Sequence, residues 1–201
     1  MSRASLPSLP KSLTTPRLLL RALTVRDAAA HFAAIDGNRR HLGRWFPWVA
    51  EIRRVKDATD SIRLCQQRRR DRSEFSYGIF QDAALIGDIA LMEVSLSDRC
   101  GELGFWLVRD ATGRGYMTEA VAGMVRASYR HLNLDRIEIY CEPRNTASRG
   151  IPRRLGFTYE GTMRHKERRN NRPRDLEVYS LLRSEFRAAR WGFLLARRTR
   201  D

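Results

Sequence analysis

An apolar stretch, Leu103 to Val108, runs straight into Arg109-Asp110-Ala111-Thr112-Gly113-Arg114-Gly115, and a segment of helical periodicity follows at once. In that segment, Gly115 to His131, the residues Ala120, Val121, Met124, Val125 and Tyr129 fall on one side of a helix. A strand, a glycine turn and a helix in direct succession make an anion site. Glycine adopts backbone conformations that bring N–H groups close to a phosphate. The first helical turn adds unpaired donors and a partial positive charge. Arg109 and Arg114 add full charges. Two glycines before a helix also occur in ordinary tight turns, so the loop alone leaves both readings open. Two competing phosphate motifs are excluded. Thr118 stands where the third glycine of GxGxxG would fall, and no Lys-Ser/Thr pair follows the glycines as in a P-loop.

The rest of the chain reads as strands with interspersed helices. Arg17 to Ala22 is an apolar first strand, and Thr24 caps a helix from Val25 to Ile35, with Asp27 in its first turn and Gly37 at its end. His41 to Val49 holds Trp45, Phe46, Pro47 and Trp48, which suits a packed loop or short helix. It is either a satellite of the core or an aromatic wall beside a groove. Asp57 to Arg72 reads as a second helix with Ile62 and Leu64 inward. Glu74 to Gln81 and Ala84 to Leu96 form a hairpin across Asp82-Ala83, and Glu102 to Val108 continues the series. Asp135 to Cys141 is a further strand. Asn145 to Leu155 is a short helix, interrupted or begun late at Pro152, and Phe157 to Met163 and Leu176 to Leu182 are closing strands. Early hairpins and later crossovers predict an α/β (α+β) fold with a mixed sheet.

The 201 residues suffice for one sizeable core, and a hydrophobic fraction of 42% is that of a globular chain. The expected division is a flexible leader over 1–15, one domain over 16–186 and a basic tail over 187–201. The net charge of +15, from 38 Lys and Arg against 23 Asp and Glu, speaks of partners. It attracts nucleic acid, an anionic membrane surface, a polyphosphate cofactor or an acidic protein, or it is a solvated Arg-rich surface. Cys65, Cys100 and Cys141 form neither a CxxC pair nor a Cys/His metal pattern, so free thiols and no metal are expected. No signal-like apolar run opens the chain, and no apolar stretch is long enough to span a bilayer. The expectation is a cytoplasmic protein without a membrane partner.

Glu102-Leu103-Gly104-Phe105-Trp106-Leu107, followed by Gly113-Arg114-Gly115-Tyr116-Met117-Thr118-Glu119-Ala120, resembles the acetyl-CoA-binding core of the GNAT acetyltransferases. Asn145-Thr146-Ala147-Ser148 and Arg154-Leu155-Gly156-Phe157 resemble the next motif of that superfamily. Leu42 to Trp48, Ser148 to Phe157 and Asp175 to Leu182 are similar to the RimJ/RimL branch, the N-terminal acetyltransferases of ribosomal proteins. The resemblance covers Thr15 to about Phe186. It implies a GNAT fold, a mixed and mostly antiparallel sheet of about seven strands flanked by helices, and direct attack of an amine on the thioester of acetyl-CoA. Thr112 and Met117 depart from the superfamily loop, and Pro152 stands where many relatives carry a tyrosine general acid.

The resemblance also implies site roles. The donor is held by the backbone of Leu107 and Val108, by the charges of Arg109 and Arg114, by Gly113 and Gly115, by Met117 and Thr118, and by Asn145, which otherwise caps its own helix. Backbone N–H groups near Leu107 and Val108 face the thioester carbonyl as it gains charge. Glu167, the lone acid in a run of Arg164, Lys166, Arg168, Arg169, Arg172 and Arg174, is the base candidate, with Glu102 as runner-up. Ser148 is the acid that protonates the leaving thiolate. Cys141 either approaches the cofactor thiol or is a buried structural residue. The only histidine expected near the centre is His165, and a weak base suits an α-amine better than a lysine. The expected acceptor is therefore the N-terminal α-amine of a protein, acidic or ribosome-associated; a homodimer is compatible with this. A small-molecule amine is the second reading, ranked lower because no acidic cluster is evident. A non-catalytic ribosome- or nucleic-acid-binding protein is the third.

Overall fold

In the computed structural model, which describes residues 7–169, 171–186 and 191, eight strands pair into one sheet. They are β1 (Ser12–Thr14), β2 (Leu19–Arg21), β3 (Phe75–Gln81), β4 (Ala84–Ser95), β5 (Cys100–Leu107), β6 (Arg136–Cys141), β7 (Thr158–Arg169) and β8 (Arg172–Leu182). Their order is β1-β2-β3-β4-β5-β6-β8-β7. Every neighbouring pair is antiparallel except β5 and β6. The helices are α1 (Ala28–Asp36), α2 (Arg39–Leu42), α3 (Val55–Asp71), α4 (Tyr116–His131) and α5 (Thr146–Leu155). The mixed α/β architecture is the expected one, with eight strands in place of about seven.

The extra strand comes from the stretch read as a leader. Leu13 pairs with Leu20, Leu9 is 4% exposed in the main core, and the Tyr77 hydroxyl donates to the Pro10 carbonyl at 2.5 Å. A three-residue strand between two prolines carries no alternation to read, and only its partner strand makes it visible. The β3–β4 hairpin turns on Asp82 (φ 47°) and Ala83 (φ 68°), two residues in the left-handed region without a glycine.

Alternation along β5 feeds two cores. Leu103 and Leu107 join α4 and the aliphatic residues of β3, β4 and β6, while Trp106 packs with Ile35, Leu42 and Val49. Helix α4 is buried nearly all round, which its apolar spacing predicts only for one side. In α3, Ile62 is buried as expected, but Leu64 is 50% exposed. Pro152 does not interrupt α5; the helix runs through it and forgoes the bond to the Ser148 carbonyl. Strand β7 runs six residues past Met163, bulging at Gly161 and between Met163 and Glu167. The basic tail over 187–201 lies outside the described residues except for Trp191, which packs edge-on to Phe186 with ring centroids 4.9 Å apart. Among the described residues no helix is long and apolar enough to cross a membrane.

One irregularity positions the site. The parallel pairing of β5 with β6 covers only Cys100–Glu102 against Arg136–Glu138, yet β5 continues to Leu107. Strand β6 stays paired to β8 through Cys141, and β5 stays paired to β4 through Leu107. The sheet therefore opens into a V whose β5 side presents unpaired backbone from Leu103 onward.

Candidate active site

The loop before α4 needs its glycines for their backbone. Gly113 has φ 75° and Gly115 has φ 78°, the region that any residue with a Cβ enters at a cost. A Cβ at Gly113 would meet nothing within 4 Å, so shape rather than crowding selects glycine there. The first bond of α4 runs from the Glu119 N–H to the Gly115 carbonyl at 3.1 Å. The N–H groups of Tyr116, Met117 and Thr118 are left without a partner inside the helix. Met117 is 6% exposed and joins the core, so only its backbone is available. The Thr118 hydroxyl accepts from Arg154 Nη2 at 3.1 Å, which brings an α5 arginine to the loop. Arg109 and Arg114 are exposed.

One of the two expected backbone donors is already engaged, and so is the N–H that follows it. Val108 N–H donates to the Ile86 carbonyl at 2.9 Å, and Arg109 N–H donates to Asn38 Oδ1 at 2.8 Å. Because Val108 N–H points at β4, strand alternation turns the N–H of Leu107 the other way, into the V. Leu107 is thus the residue of the pair whose N–H is left free to enter the V.

The V opens into a cavity of about 660 Å³ on the opposite face of the sheet from α4. Its lining brings together Glu102, Asn145, Ser148 and Glu167, from three strands' worth of sequence separation. Asn145 Oδ1 accepts from the Ser148 N–H at 3.2 Å and caps α5, the second of its two expected roles. Burial pushes the Cys141 thiol up to about 11, against the opposing influence of the Ser148 hydroxyl. Cys141 is therefore a buried, protonated thiol at neutral pH.

The two carboxylates differ sharply. Glu167 on β7 has a side chain 51% exposed, with Arg169 Nη2 at 3.9 Å. Glu102 on β5 is half-buried, and its carboxyl is pushed up to about 7. Burial is the main cause, and the charges of Glu93, Glu138 and Glu167 add to it against Lys166. A carboxylate in that range is suited to taking a proton near neutral pH.

The far part of the cavity corrects two expectations. Trp45, Phe46, Trp48 and Trp106 form one wall, so the aromatic segment is both core satellite and groove lining. Acidic residues do cluster: Glu51, Glu74, Asp88 and Glu142 line the cavity with Glu102 and Glu167. Glu74 pairs with Arg68 at 2.7 Å and Glu142 pairs with Arg169, while Glu51 and Glu102 carry no ion pair among the described residues. A histidine also lies here. His31 is 5% exposed and holds Asp88 Oδ2 through Nε2 at 2.7 Å. Burial opposes its charged form, but the Asp88 charge and hydrogen bond outweigh it and raise the imidazole above its usual value. The expected His165 is exposed on the β7 bulge. The arginine run of α3 does not serve the glycine loop. Arg68 is spent on Glu74, and Arg69 on the Leu9 carbonyl at 3.2 Å. Sequence reasoning passed over His31, Asp88, Arg17 and Glu119, because each is set by a partner dozens of residues away.

A backbone cradle for phosphates, a strand edge for an extended amide arm and a carboxyl titrating near neutrality define an acyl transferase that works from a nucleotide-bearing thioester. Known proteins agree. Residues 17–158 match the family model described as an acetyltransferase (GNAT) domain. The chain is 30% identical to YdaF of Bacillus subtilis (strain 168) over 171 residues, 84% of this chain and 93% of that one. It is 28% identical to the ribosomal-protein-serine acetyltransferase of Escherichia coli (strain K12) over 163 residues, 81% of this chain and 91% of that one. Among solved structures, RimJ of Mycobacterium smegmatis in complex with CoA-disulfide shares the fold, with a TM-score of 0.83, 24% identity and coverage of 93% of this chain and 94% of that one. The chain belongs to the GNAT acetyltransferase family. It is an N-acetyltransferase that takes acetyl-CoA as the acyl donor.

Proposed function

We propose that the enzyme acetylates the N-terminal α-amine of a ribosomal protein by direct attack within a ternary complex. The observation that carries this is the Glu102 carboxyl at about 7 on the wall of an acid-lined cavity. An α-ammonium, near 7.7–8.0, lies about one unit above such a base, which costs about 1 kcal/mol to bridge. A lysine ammonium near 10.4 lies over three units above it and costs about 4–5 kcal/mol. Two Escherichia coli relatives support the acceptor class, one named a ribosomal-protein-serine acetyltransferase and the other, 28% identical over 153 residues, an alanine N-acetyltransferase of ribosomal protein uS5. A ribosomal acceptor puts the enzyme in the cytoplasm.

In this reading Glu102 takes the proton from the bound ammonium. The free amine attacks the thioester carbon, and the N–C bond forms as the carbonyl oxygen gains charge opposite the Leu107 N–H. The C–S bond then breaks, and Ser148 donates a proton to the departing thiolate, recovering one from the attacking nitrogen as it becomes the neutral amide. The charge of nearby Glu167 helps hold the Glu102 carboxyl high. Arg109, Arg114, Gly113, Gly115 and the α4 N-terminus hold the phosphates.

The acid lining also favours a second reading, a small cationic amine as acceptor. A free-thiol assay with a panel of acceptors separates them. Peptides with free Ser or Ala termini are expected to be turned over, and the same peptides with blocked termini are not. Higher kcat/KM on small polyamines overturns the ribosomal reading, and no calorimetric heat with acetyl-CoA overturns both.

A further inference from the structure

A carboxylate is buried beneath the phosphate loop, and its partners come from the other end of the chain. Glu119 is 2% exposed and lies in the first turn of α4, where a negative charge opposes a bound phosphate. A buried carboxylate persists only when paired and hydrogen-bonded. Glu119 accepts from the Thr15 hydroxyl at 2.7 Å, the Arg17 N–H at 2.8 Å and Arg17 Nε at 2.7 Å. All three donors sit in the turn between β1 and β2.

The same guanidinium reaches further. Arg17 Nη1 donates to the Arg114 carbonyl at 3.0 Å, and the group lies 4.6 Å over the Tyr116 ring. Arg17 Nη2 stands 3.5 Å from the point where a Cβ on Gly115 would be. One side chain therefore holds Arg114, Gly115 and Tyr116 while neutralising the acid behind them. The Arg17 side chain is 37% exposed, and Nη2 has no hydrogen-bond acceptor among the described residues.

We propose that Arg17 is a binding residue for the diphosphate of the donor, clamping the glycine loop through Glu119 and the Arg114 carbonyl and presenting Nη2 to the phosphates. Thr15 and Glu119 are its positioning residues. The β1–β2 turn, rather than only the strand and helix that flank the loop, then completes the cofactor site. This rests on acetyl-CoA as the donor and is independent of which amine accepts.

The test compares acetyl-CoA with S-acetylpantetheine, which carries the same thioester and amide arm but no diphosphate, on the full chain. Arg17→Ala is expected to lower kcat/KM for acetyl-CoA by about tenfold or more, the loss of a charged hydrogen bond, mainly through KM. The value for S-acetylpantetheine stays within about twofold in the same assay, because that donor has no phosphate for the guanidinium to meet. Arg17→Gln keeps a donor for Glu119 without the charge and gives the same comparison if the alanine variant folds poorly. Arg17→Lys restores part of the preference. Arg21→Ala is the control, since Arg21 also stacks on a ring, Phe80 at 4.1 Å, and pairs with an acid, Asp27, but does not touch the loop. It should leave the donor ratio unchanged. Equal losses with both donors, an unchanged ratio in Arg17→Ala and Arg17→Gln, or the same ratio change in Arg21→Ala each overturn the proposal. Calorimetric binding of CoA needs no acceptor, so it reads the clamp even if the acceptor assignment fails.

Discussion

Replacing Glu102 by Gln should make the enzyme slower and the fold more stable at the same time. Gln preserves size and polarity but cannot ionise. In the native state the Glu102 carboxyl titrates near 7, against 4.5 for an unperturbed glutamate. Between those values the folded chain binds the proton that the unfolded chain has lost, so stability falls as pH rises from about 4.5 to 7. Above pH 7 the ionised, half-buried group is a standing cost of about 1–3 kcal/mol once its partial exposure is allowed for. Glu102→Gln removes that cost, and thermal unfolding at pH 8 should move up by several degrees while unfolding at pH 4.5 changes little. Activity should move the other way. The wild-type kcat/KM profile, followed by thiol release from a Ser- or Ala-terminated peptide, should rise with unit slope through about pH 7 before the limb of the acceptor amine near 8. Glu102→Gln should lose the lower limb, keep the upper one, and fall by about 10²–10⁴-fold at pH 7.5. A structural role would lower both stability and activity, so opposite signs are the diagnostic. Retention of kcat/KM within about threefold of wild type across pH 5.5–8.5 would show that Glu102 is not the base that general base catalysis requires.

Ser148→Ala should lower kcat by about tenfold or more with little change in KM for acetyl-CoA, because its hydroxyl is needed only as the thiolate departs. An unchanged single-turnover rate removes it from the mechanism. Gly115→Ala forces a Cβ into φ 78° and should destabilise the fold by about 1–2 kcal/mol while raising KM for acetyl-CoA. Denaturant unfolding and donor kinetics on one preparation check both parts.

Much of the site is legible in the chain because it is local. Leu103 to Leu107, Gly113 to Gly115 and the helix after them are consecutive, so strand, positive-φ turn and donor-rich helix start follow from residue type and order. Asn145 and Ser148 are likewise one helical turn apart, and capping brings them together. What the sequence by itself determined is thus the glycine turn, the helix start after it, the Asn145 cap and the elements around them.

Tertiary structure decided everything that depends on a distant partner. Glu102 reads as the second choice of base until burial, with Glu138 opposite it on β6 and Glu167 nearby, lifts its carboxyl. Val108 looks like a free donor until Ile86 takes its N–H. Residues 12–15 look like part of a leader until β2 pairs with Ser12–Thr14 and Thr15 donates to Glu119. A chain of charge +15 shows no acidic pocket until folding gathers Glu51, Glu74, Asp88, Glu102, Glu142 and Glu167 around one cavity. Order along the chain sets local conformation, but burial and electrostatic field belong to the three-dimensional neighbourhood, and these set the raised carboxyl of Glu102 and the acid lining around it.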